Sequence, residues 1–484
     1  MLTHSLPHSL CVETLFPFIQ DLPYPVWLDS SDDHEGRYHI VSAAPEQILR
    51  VDAHDNEDHN QDHEAFFQEA QQLLEQYTPV TPALNLPFQG GLIGFISYEL
   101  GAHSLIGERA FALYQPTQPT QSTQNATATN ASSSLSKMPM GYFGLYLWAL
   151  IVDKQDHKTT LVFHPECSLD VKNDLIVRFT AATTPKRETD KGTDQPTSAA
   201  FSLLTGFNAT TRREAYTEDI NTILDYIQAG DVYQVNYAQH FNAAYTGNTL
   251  DAYLALRAYA PAPYSGYLEL DTGALLCQSP EQFLSINDRL ARTSPIKGTA
   301  PRSSNTLSDQ RNGKKLKESE KNRAENLMIV DLMRNDLSQH AQLGSVKVSE
   351  LFSLKSYSNV HHLVSEIEAE LRDEATAIDV LPSMLPAGSI TGAPKKRAVE
   401  IIAQLEAAPR HFYCGNLGYL SLCGKTDFNI GIRSLVADQT HLHCWGGGGI
   451  VAESSAAKEH DETLHKVGGL MKLLERVFAT KQRE

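Results

Sequence analysis

The sequence predicts an α+β fold in which antiparallel sheets pack against helices that cover them on the outside. Three observations predict this fold. Strand-like runs rich in aromatic and β-branched residues are interspersed with a few long amphipathic helices. The strict strand–helix alternation of a parallel sheet is missing from the sequence. So are the GxGxxG and Walker patterns of nucleotide-binding α/β domains.

Four helices are predicted from apolar residues at helical spacing. The first begins near Arg213, carries Tyr216 and Ile220 on its apolar face, and ends near Gly230, where the chain passes into a strand. The others are predicted over residues 320–339, 393–406 and 455–478.

Strands are predicted where short apolar runs lie between turn residues. Before residue 200 the clearest run is 141–153. The later runs are 264–271, 274–286, 416–423, 428–438 and 441–445.

Three polar segments interrupt these elements. Residues 115–137 and 183–199 cannot bury enough apolar surface to offset the entropy of ordering them, so we expect a disordered insertion and a linker. The linker divides the chain into an N-terminal region, 1–182, and a C-terminal domain, 200–484. The acidic, histidine-containing run at 52–63 could indicate a metal site, but such runs are more often solvated loops.

Composition excludes several classes of function. The 484 residues are 41% hydrophobic and 20% charged, as in ordinary soluble globular proteins. The net charge of −18 disfavours nucleic acid or an anionic membrane as partner, although a pocket can still bind a small anion. The six cysteines lack zinc spacing, which predicts free thiols and no metal held by sulfur. No export signal or membrane span is evident, so we expect a reducing, cytoplasmic location.

Lys297, in SPIKGTAPR (294–302), is the first candidate for chemistry. It lies between Ile296 and a Gly-Thr pair. A buried lysine whose pKa is lowered is a nucleophile. A lysine on a solvated strand edge fits these nine residues as well.

The C-terminal part of the chain carries candidate anion and metal ligands. Glu459, Glu462 and Lys466 share one helical face, which is also typical of a solvated salt-bridge surface. The glycine run 446–449 precedes that helix and would let backbone N–H groups approach an anion, or would form a plain flexible loop. Glu325, at the start of another helix, would complete a magnesium site with Glu462.

An ordered set of motifs resembles the chorismate-utilising enzymes, a family that includes the anthranilate, aminodeoxychorismate, isochorismate and salicylate synthases. Two further motifs, GDVYQVN (230–236) and SPEQF (279–283), extend the match upstream. The set is SPIKGTAPR (294–302), RAENLMIVDLMRNDLS (323–338), HHLVS (361–365), PAGSITGAPKKRA (386–398), YCGNLGYL (413–420), IGIRSL (430–435), GGGGIVAES (446–454) and DETLHK (461–466).

The resemblance implies a fold and a set of roles. It implies a sandwich of two large, mostly antiparallel sheets with helices outside, made of the family's N-terminal region and its chorismate-binding catalytic domain. Glu325 and Glu462 match the family's Mg²⁺ ligands, with Glu459 close by. Glu281 matches the general acid/base that protonates the departing C4 hydroxyl. The groups that match those binding the substrate's ring and carboxylates are Thr299, His362, Ser389, Tyr413, Arg433, Lys466 and the amides of Gly447 and Gly449.

Two positions separate the branches of the family. Gln234 stands where the water-using members carry a lysine that activates water, so ammonia becomes the expected nucleophile. Lys297 stands where the anthranilate synthases usually carry alanine, and PIKGT resembles the aminodeoxychorismate synthases. In that branch the lysine is implicated in forming a covalent adduct at C2 of the ring. The alternatives are an anthranilate synthase component and a non-catalytic regulatory paralogue.

The resemblance also implies a partner. Hydrolysis of glutamine in this class of partner needs a Cys nucleophile with a His base, and no such pairing is evident in this sequence. We therefore expect a separate glutamine amidotransferase subunit, or free ammonium, to supply ammonia to a route leading to 4-aminobenzoate and folate.

Overall fold

The structure is a computed structural model, and it describes part of each polar segment. It describes residues 1–7, 11–32, 36–52, 62–80, 83–107, 135–183, 199–357 and 360–479. Most of the predicted insertion, linker and acidic run therefore lie outside the described residues.

Strands and helices occur throughout the described residues. The strands are β1 Leu2–Leu6, β2 Val26–Asp29, β3 Tyr38–Ser42, β4 Gln47–Val51, β5 Gly91–Ile96, β6 Gly141–Tyr146, β7 Trp148–Asp153, β8 Lys158–Phe163, β9 Ser202–Leu203, β10 Asn208–Ala209, β11 Gln234–Thr246, β12 Tyr264–Leu270, β13 Gly273–Ser279, β14 Gln282–Asn287, β15 Leu290–Ser294, β16 Ile296–Pro301, β17 Lys347–Ser356, β18 Val360–Glu370, β19 Gly392–Ala393, β20 Asn416–Ser421, β21 Thr426–Asn429, β22 Ser434–Ala437 and β23 His441–Ile450. The α-helices are α1 Val12–Leu15, α2 Asp62–Glu75, α3 Tyr98–Ile106, α4 Leu169–Thr183, α5 Arg213–Ala229, α6 Thr249–Tyr259, α7 Thr306–Lys317, α8 Glu320–Ser338, α9 Ala377–Met384, α10 Lys395–Leu405 and α11 Ala456–Phe478. Short 3₁₀ helices cover Phe16–Phe18 and Gly388–Ile390.

The strands form two large antiparallel sheets, which confirms the predicted fold class. One sheet has 13 strands, in the order β1-β8-β7-β3-β2-β12-β13-β22-β23-β11-β10, with β9 and β19 also paired to β11. The other has 10, in the order β16-β18-β15-β14-β21-β20-β5-β6-β4, with β17 also paired to β18. The sheets face each other: a Cβ atom on Gly266 of β12 would lie 2.6 Å from Leu417 of β20.

Three of the predicted strand runs each contain two strands that belong to different sheets. Residues 141–153 divide at Leu147 into β6 and β7, while 274–286 and 428–438 divide into β13 with β14 and β21 with β22. The sequence hides these divisions because strands buried on both faces read as continuous apolar runs. Each division carries the chain across the sandwich.

Residues on the two sides of the segment 184–198 contribute to both sheets. In the larger sheet the contributions meet where β2 pairs with β12, and in the smaller sheet where β5 pairs with β20. The N-terminal strands therefore continue the same sheets that carry the C-terminal motifs.

The four predicted helices are present, with bounds within two residues of those expected. The first, α5, ends at Gly230, whose φ of 84° is the left-handed conformation that glycine adopts without strain. Ser319 caps α8 by accepting a hydrogen bond from the backbone N–H of Asn322. Among the described helices, none has the length and apolar character needed to span a membrane.

Candidate active site

Lys297 lies on β16 at the edge of the smaller sheet, in a distorted part of the strand. Ile296 pairs with Val364 and Thr299 with His362, so β16 has one extra residue over this stretch. Gly298, with φ 89°, accommodates this bulge. Bulges re-aim side chains, and here Nζ of Lys297 reaches the backbone carbonyl of Ser389 at 2.8 Å.

A chain of hydrogen bonds joins Lys297 to Glu281, which lies in the connection between β13 and β14. Ser389, in the 3₁₀ turn 388–390, uses its carbonyl to accept from Lys297 and its hydroxyl to donate to Oε1 of Glu281 at 2.8 Å. Asn236 of β11 donates from Nδ2 to the same Ser389 carbonyl at 2.9 Å. The predicted nucleophile and the predicted acid/base are thus linked through one serine.

Burial shifts the pKa values of both groups toward their neutral forms. It raises the pKa of Glu281 to about 7, against the opposing effects of the Ser389 hydroxyl and the Lys297 ammonium. It lowers the pKa of Lys297, although Glu281 and Glu325 favour the ammonium. An amine that loses its proton more readily, linked to a carboxyl that can carry a proton, suits nucleophilic attack with acid assistance.

Thr299 and His362 lie together beside Lys297. The Thr299 hydroxyl and Nδ1 of His362 are 3.0 Å apart. Burial, with a contribution from Arg433, lowers the pKa of His362 to about 3, so this imidazole is neutral at physiological pH. Its Nε2 is buried and has no hydrogen-bond partner among the described residues. The ring therefore retains a polar atom for a ligand.

Arg433 supplies a cation close to His362. Its side chain is half-buried, and burial lowers its pKa. No ion pair or side-chain hydrogen bond joins it to any other described residue. A partly buried guanidinium with no ion-pair partner among the described residues is suited to binding a carboxylate. The nearby Tyr413 ring stacks on Trp445, with centroids 6.2 Å apart and planes within 8°.

The glycine run 446–449 is part of β23, which excludes the alternative of a plain flexible loop. A Cβ atom on Gly447 would lie 2.3 Å from the carbonyl of Tyr237, so glycine is what allows β11 to approach so closely. The sequence signal was ambiguous because glycine is usually depleted in strands.

The strand pairing directs two glycine amides toward the site. Gly447 and Gly449 face Ala238 and Asn236 of β11, whose N–H groups donate elsewhere, to Glu406 and Thr391. These are therefore non-hydrogen-bonded pairs, in which the glycine N–H groups point away from β11. On that side β22 pairs with β23 only as far as Cys444, which leaves the two amides on an open edge.

Two glutamates lie near Gly448, and a third interacts with them electrostatically. A Cβ atom there would lie 3.4 Å from Oε2 of Glu459 and 3.6 Å from Oε1 of Glu462, both on α11. Burial raises the pKa of Glu325 on α8, and the negative charges of Glu462 and Glu459 raise it further. Among the described residues no three acidic, histidine or cysteine side chains are already arranged as a metal cage.

Two lysines accompany these glutamates. Nζ of Lys466 lies 2.8 Å from Oε1 of Glu462 and donates to the Gly447 carbonyl at 3.0 Å. Nζ of Lys321 lies 3.8 Å from Oε1 of Glu325. Two of these side chains are half exposed, Lys321 at 56% and Glu462 at 52%, so water reaches this end of the site.

Gln234 and two unpredicted residues complete the site. Gln234 is fully buried beside Gly449, and neither atom of its side-chain amide has a partner among the described residues. Asn236 and Lys321 are the two residues that were not predicted from the sequence. Asn236 lies within the quoted VYQVN motif, and Lys321 lies one helical turn before Glu325, so their positions were the available signals.

Comparison with known proteins gives consistent matches over most of the chain. Residues 24–472 match the family model described as chorismate binding enzyme. Aminodeoxychorismate synthase component 1 of Escherichia coli is 38% identical over 96% of each chain, and that of Klebsiella aerogenes is 41% identical over 84% of this chain and 82% of its own. Anthranilate synthase component 1 of Thermus thermophilus is 40% identical, over 56% of this chain and 58% of its own.

Two solved structures share the fold. Anthranilate synthase component I of Streptococcus pneumoniae superposes with a TM-score of 0.71 at 26% identity, covering 90% of this chain and 92% of its own. The menaquinone-specific isochorismate synthase of Escherichia coli superposes with a TM-score of 0.68 at 19% identity, covering 98% and 94%. The second likeness shows the fold alone.

Proposed function

The chain belongs to the family of chorismate-binding enzymes, and we propose that it aminates chorismate to 4-amino-4-deoxychorismate. Three relatives named aminodeoxychorismate synthase component 1 match it over 81–96% of its length, at 38–41% identity. The observation that carries the proposal is the Lys297 amine, hydrogen-bonded within the site and linked through Ser389 to Glu281.

The open edge of β23 offers the groups that a dicarboxylate substrate needs. Arg433 is a partly desolvated cation without a partner among the described residues, and the amides of Gly447 and Gly449 are directed away from β11. Charge-assisted and backbone donors of this kind bind carboxylates strongly. Tyr413 and Lys466 border the same space, and Thr299 and His362 would face the ring.

The first chemical step uses Lys297 and Glu281. The neutral amine of Lys297 forms a bond to C2 of the ring, the double bonds shift, and the C4–O bond breaks. Glu281 donates a proton to the departing hydroxyl, which leaves as water. The adduct amine loses its extra proton to solvent or to the Glu281 carboxylate.

The second step uses ammonia. Ammonia forms a bond to C4, the double bonds shift back, and the C2–N bond to Lys297 breaks. The new C4 ammonium group loses one proton, and the departing Lys297 nitrogen gains one, through Glu281 or solvent. The product keeps its enolpyruvyl group, and Lys297 returns to its free form. Gln234, which cannot act as a base toward water, is compatible with ammonia as the nucleophile.

We also propose Mg²⁺ as the cofactor, held by Glu325 and Glu462 with Glu459 close by. The closeness of Glu459 and Glu462 at Gly448, and their electrostatic interaction with Glu325, support this assignment, because Mg²⁺ prefers hard oxygen ligands and completes its shell with water or substrate. When bound, the ion would neutralise a substrate carboxylate. Lys466 and Lys321 pair with Glu462 and Glu325, respectively.

The name component 1, which the relatives carry, implies a partner component. We propose that the partner is a glutamine amidotransferase that supplies ammonia. Formation of anthranilate is the second candidate function, favoured by 39–40% identity to anthranilate synthases over 54–60% of this chain. Lys297 argues against it. A regulatory paralogue without activity would have no need to retain Lys297, Glu281 and the three glutamates together.

The decisive experiment identifies the product. The purified chain is incubated with chorismate, ammonium and Mg²⁺, and the products are separated and identified by mass spectrometry. We expect 4-amino-4-deoxychorismate, and no product when Mg²⁺ is removed by a chelator. Anthranilate with release of pyruvate would establish the second candidate, and the absence of any product would support the regulatory paralogue.

The partner is tested separately, by measuring glutamate release from glutamine. The chain alone should use ammonium and should release no glutamate. Adding a glutamine amidotransferase subunit should make glutamine an effective ammonia source. Robust glutaminase activity in the isolated chain would rule out the two-subunit arrangement.

A further inference from the structure

Arg410 is a fully buried arginine just beyond α10, outside the residues assigned to the site so far. Its side chain is 1% exposed. It forms two hydrogen bonds to the carboxylate of Glu406, at 2.8 Å from Nε and 2.6 Å from Nη2. The Glu406 carboxylate also accepts from the backbone N–H of Ala238 on β11. This buried ion pair is thus attached to the strand that carries Asn236.

The remaining donors of Arg410 bind two backbone carbonyls at the site. Nη2 donates to the carbonyl of Asn236 at 2.7 Å, and Nη1 donates to the carbonyl of Ile390 at 3.1 Å. Ile390 directly follows Ser389, whose carbonyl holds the Lys297 amine and the Asn236 amide. The Arg410 guanidinium therefore joins β11 to the 3₁₀ turn 388–390. These two segments meet at the Ser389 carbonyl, which accepts the hydrogen bond from Lys297.

Surrounding groups fix Arg410 itself. The backbone N–H groups of Arg410 and His411 donate to the two carboxylate oxygens of Glu99, at 2.6 and 3.0 Å. The guanidinium lies over the ring of Tyr98, 4.6 Å from its centroid, and 5.9 Å from that of Tyr413. The cluster therefore extends from α3 in the N-terminal region to an aromatic ring of the site.

We propose that Arg410 is a positioning residue, which holds the Ser389 carbonyl and Asn236 in the arrangement that orients the Lys297 amine. Its effect on turnover rests on the proposed function, whereas its effect on Lys297 itself does not. A buried ion pair is weak evidence for a contribution to stability, because desolvating two charges offsets their attraction. A planar fork that reaches three acceptors from separate segments instead fixes geometry, which lysine cannot reproduce.

The kinetic test is a double-mutant cycle between Arg410→Lys and Asn236→Ala. Each single variant should lower kcat about 10- to 100-fold with less than about a threefold change in the KM for chorismate. Because both act on the Ser389 carbonyl, the double variant should be hardly slower than the slower single variant. Multiplicative losses, or a change confined to KM, would overturn the proposal.

Arg257 offers a matched control. It also pairs with a buried carboxylate, Asp29, and lies over an aromatic ring, that of Trp27, at 5.0 Å from the centroid. Arg257→Lys should lower the melting temperature, with kcat nearly unchanged and no coupling to Asn236→Ala. An equal loss of kcat in this control would mean that Arg410 acts only through general stability.

A second measurement does not need turnover, so it separates this proposal from the proposed function. Reductive methylation with formaldehyde is followed at each lysine by mass spectrometry. In Arg410→Lys, Lys297 should react at least about threefold faster than in the parent, because its acceptor carbonyl is no longer held. Lys395, which pairs with Asp336 at 2.6 Å, serves as the internal reference.

An unchanged reactivity of Lys297 would overturn the proposal, whether or not the parent enzyme forms the expected product. If Arg410→Lys does not fold, Glu406→Gln replaces it in both experiments. That variant weakens the hold on Arg410 without removing the guanidinium, and the same outcomes decide.

Discussion

Glu281 and Glu462 are glutamates at two ends of one site, and their surroundings differ sharply. Glu281 is 4% exposed and bonded to a serine hydroxyl, and burial raises its pKa to about 7. The Glu462 side chain is 52% exposed and pairs with Lys466. Burial acts to raise its pKa, but Lys466, Lys321 and His465 lower the pKa on balance.

The comparison shows that residue type alone does not determine chemistry in this site. A carboxyl kept partly protonated can donate a proton, whereas a carboxylate kept ionised in water can bind a cation. Lys297 lies between the two ends, since both Glu281 and Glu325 act on its pKa. We call the end that contains Glu281 the dry end and the end that contains Glu462 the wet end. Four predictions test the distinction between them.

The largest effect is expected from Lys297→Ala. Removing the amine removes the covalent route, so the rate of 4-amino-4-deoxychorismate formation should fall by more than about 10³-fold. Some anthranilate could accompany this loss, because alanine is the usual residue of that branch. Lys321→Ala, which removes a lysine from the wet end, is the control and should change the rate far less. Unchanged rate and product in Lys297→Ala would disprove the nucleophile assignment.

Glu281→Gln should have the next largest effect. Glutamine cannot donate a proton to the leaving hydroxyl, so kcat should fall about 10²- to 10⁴-fold. The Mg²⁺ concentration for half-maximal rate should stay the same, because Glu281 belongs to the dry end. A raised Mg²⁺ requirement would show that the two ends are not separate.

The converse is expected for Glu325→Gln and Glu462→Gln. Each removes a proposed anionic oxygen ligand of Mg²⁺, so the Mg²⁺ requirement should rise about 10-fold or more, together with the KM for chorismate. Melting curves should show folded protein, since Glu462 is exposed. If both variants titrate with Mg²⁺ like the parent, the metal lies elsewhere.

The smallest effect concerns pH. Acid catalysis needs protonated Glu281, so kcat at constant ammonia should decline as pH rises through about 7. The Ser389 hydroxyl lowers the Glu281 pKa, so Ser389→Ala should move this decline to higher pH. Glu462→Gln should leave its midpoint in place. If Glu462→Gln shifts the midpoint of the decline and Ser389→Ala does not, the titrating group belongs to the wet end.

The sequence predicted four of the eleven α-helices among the described residues and most candidate groups, but not how these groups meet. Helix bounds follow from local spacing and glycine placement, as at Gly230. The link from Glu281 through Ser389 to Lys297 has two steps. Each step joins residues more than 90 positions apart in the sequence, so the link depends on packing. Asn236 and Arg410 were not predicted because their side chains bind backbone carbonyls, and no sequence pattern marks such contacts.

The two junctions at β2–β12 and β5–β20 bear on how this protein can be divided. A fragment beginning at residue 200 would keep every candidate site residue. It would also expose β12 and β20 as unpaired edges in the middle of both sheets. Such edges recruit other strands and promote aggregation. The N-terminal strands β2 and β5 thus cover these two edges of the catalytic portion. A soluble minimal enzyme therefore requires both parts of the chain.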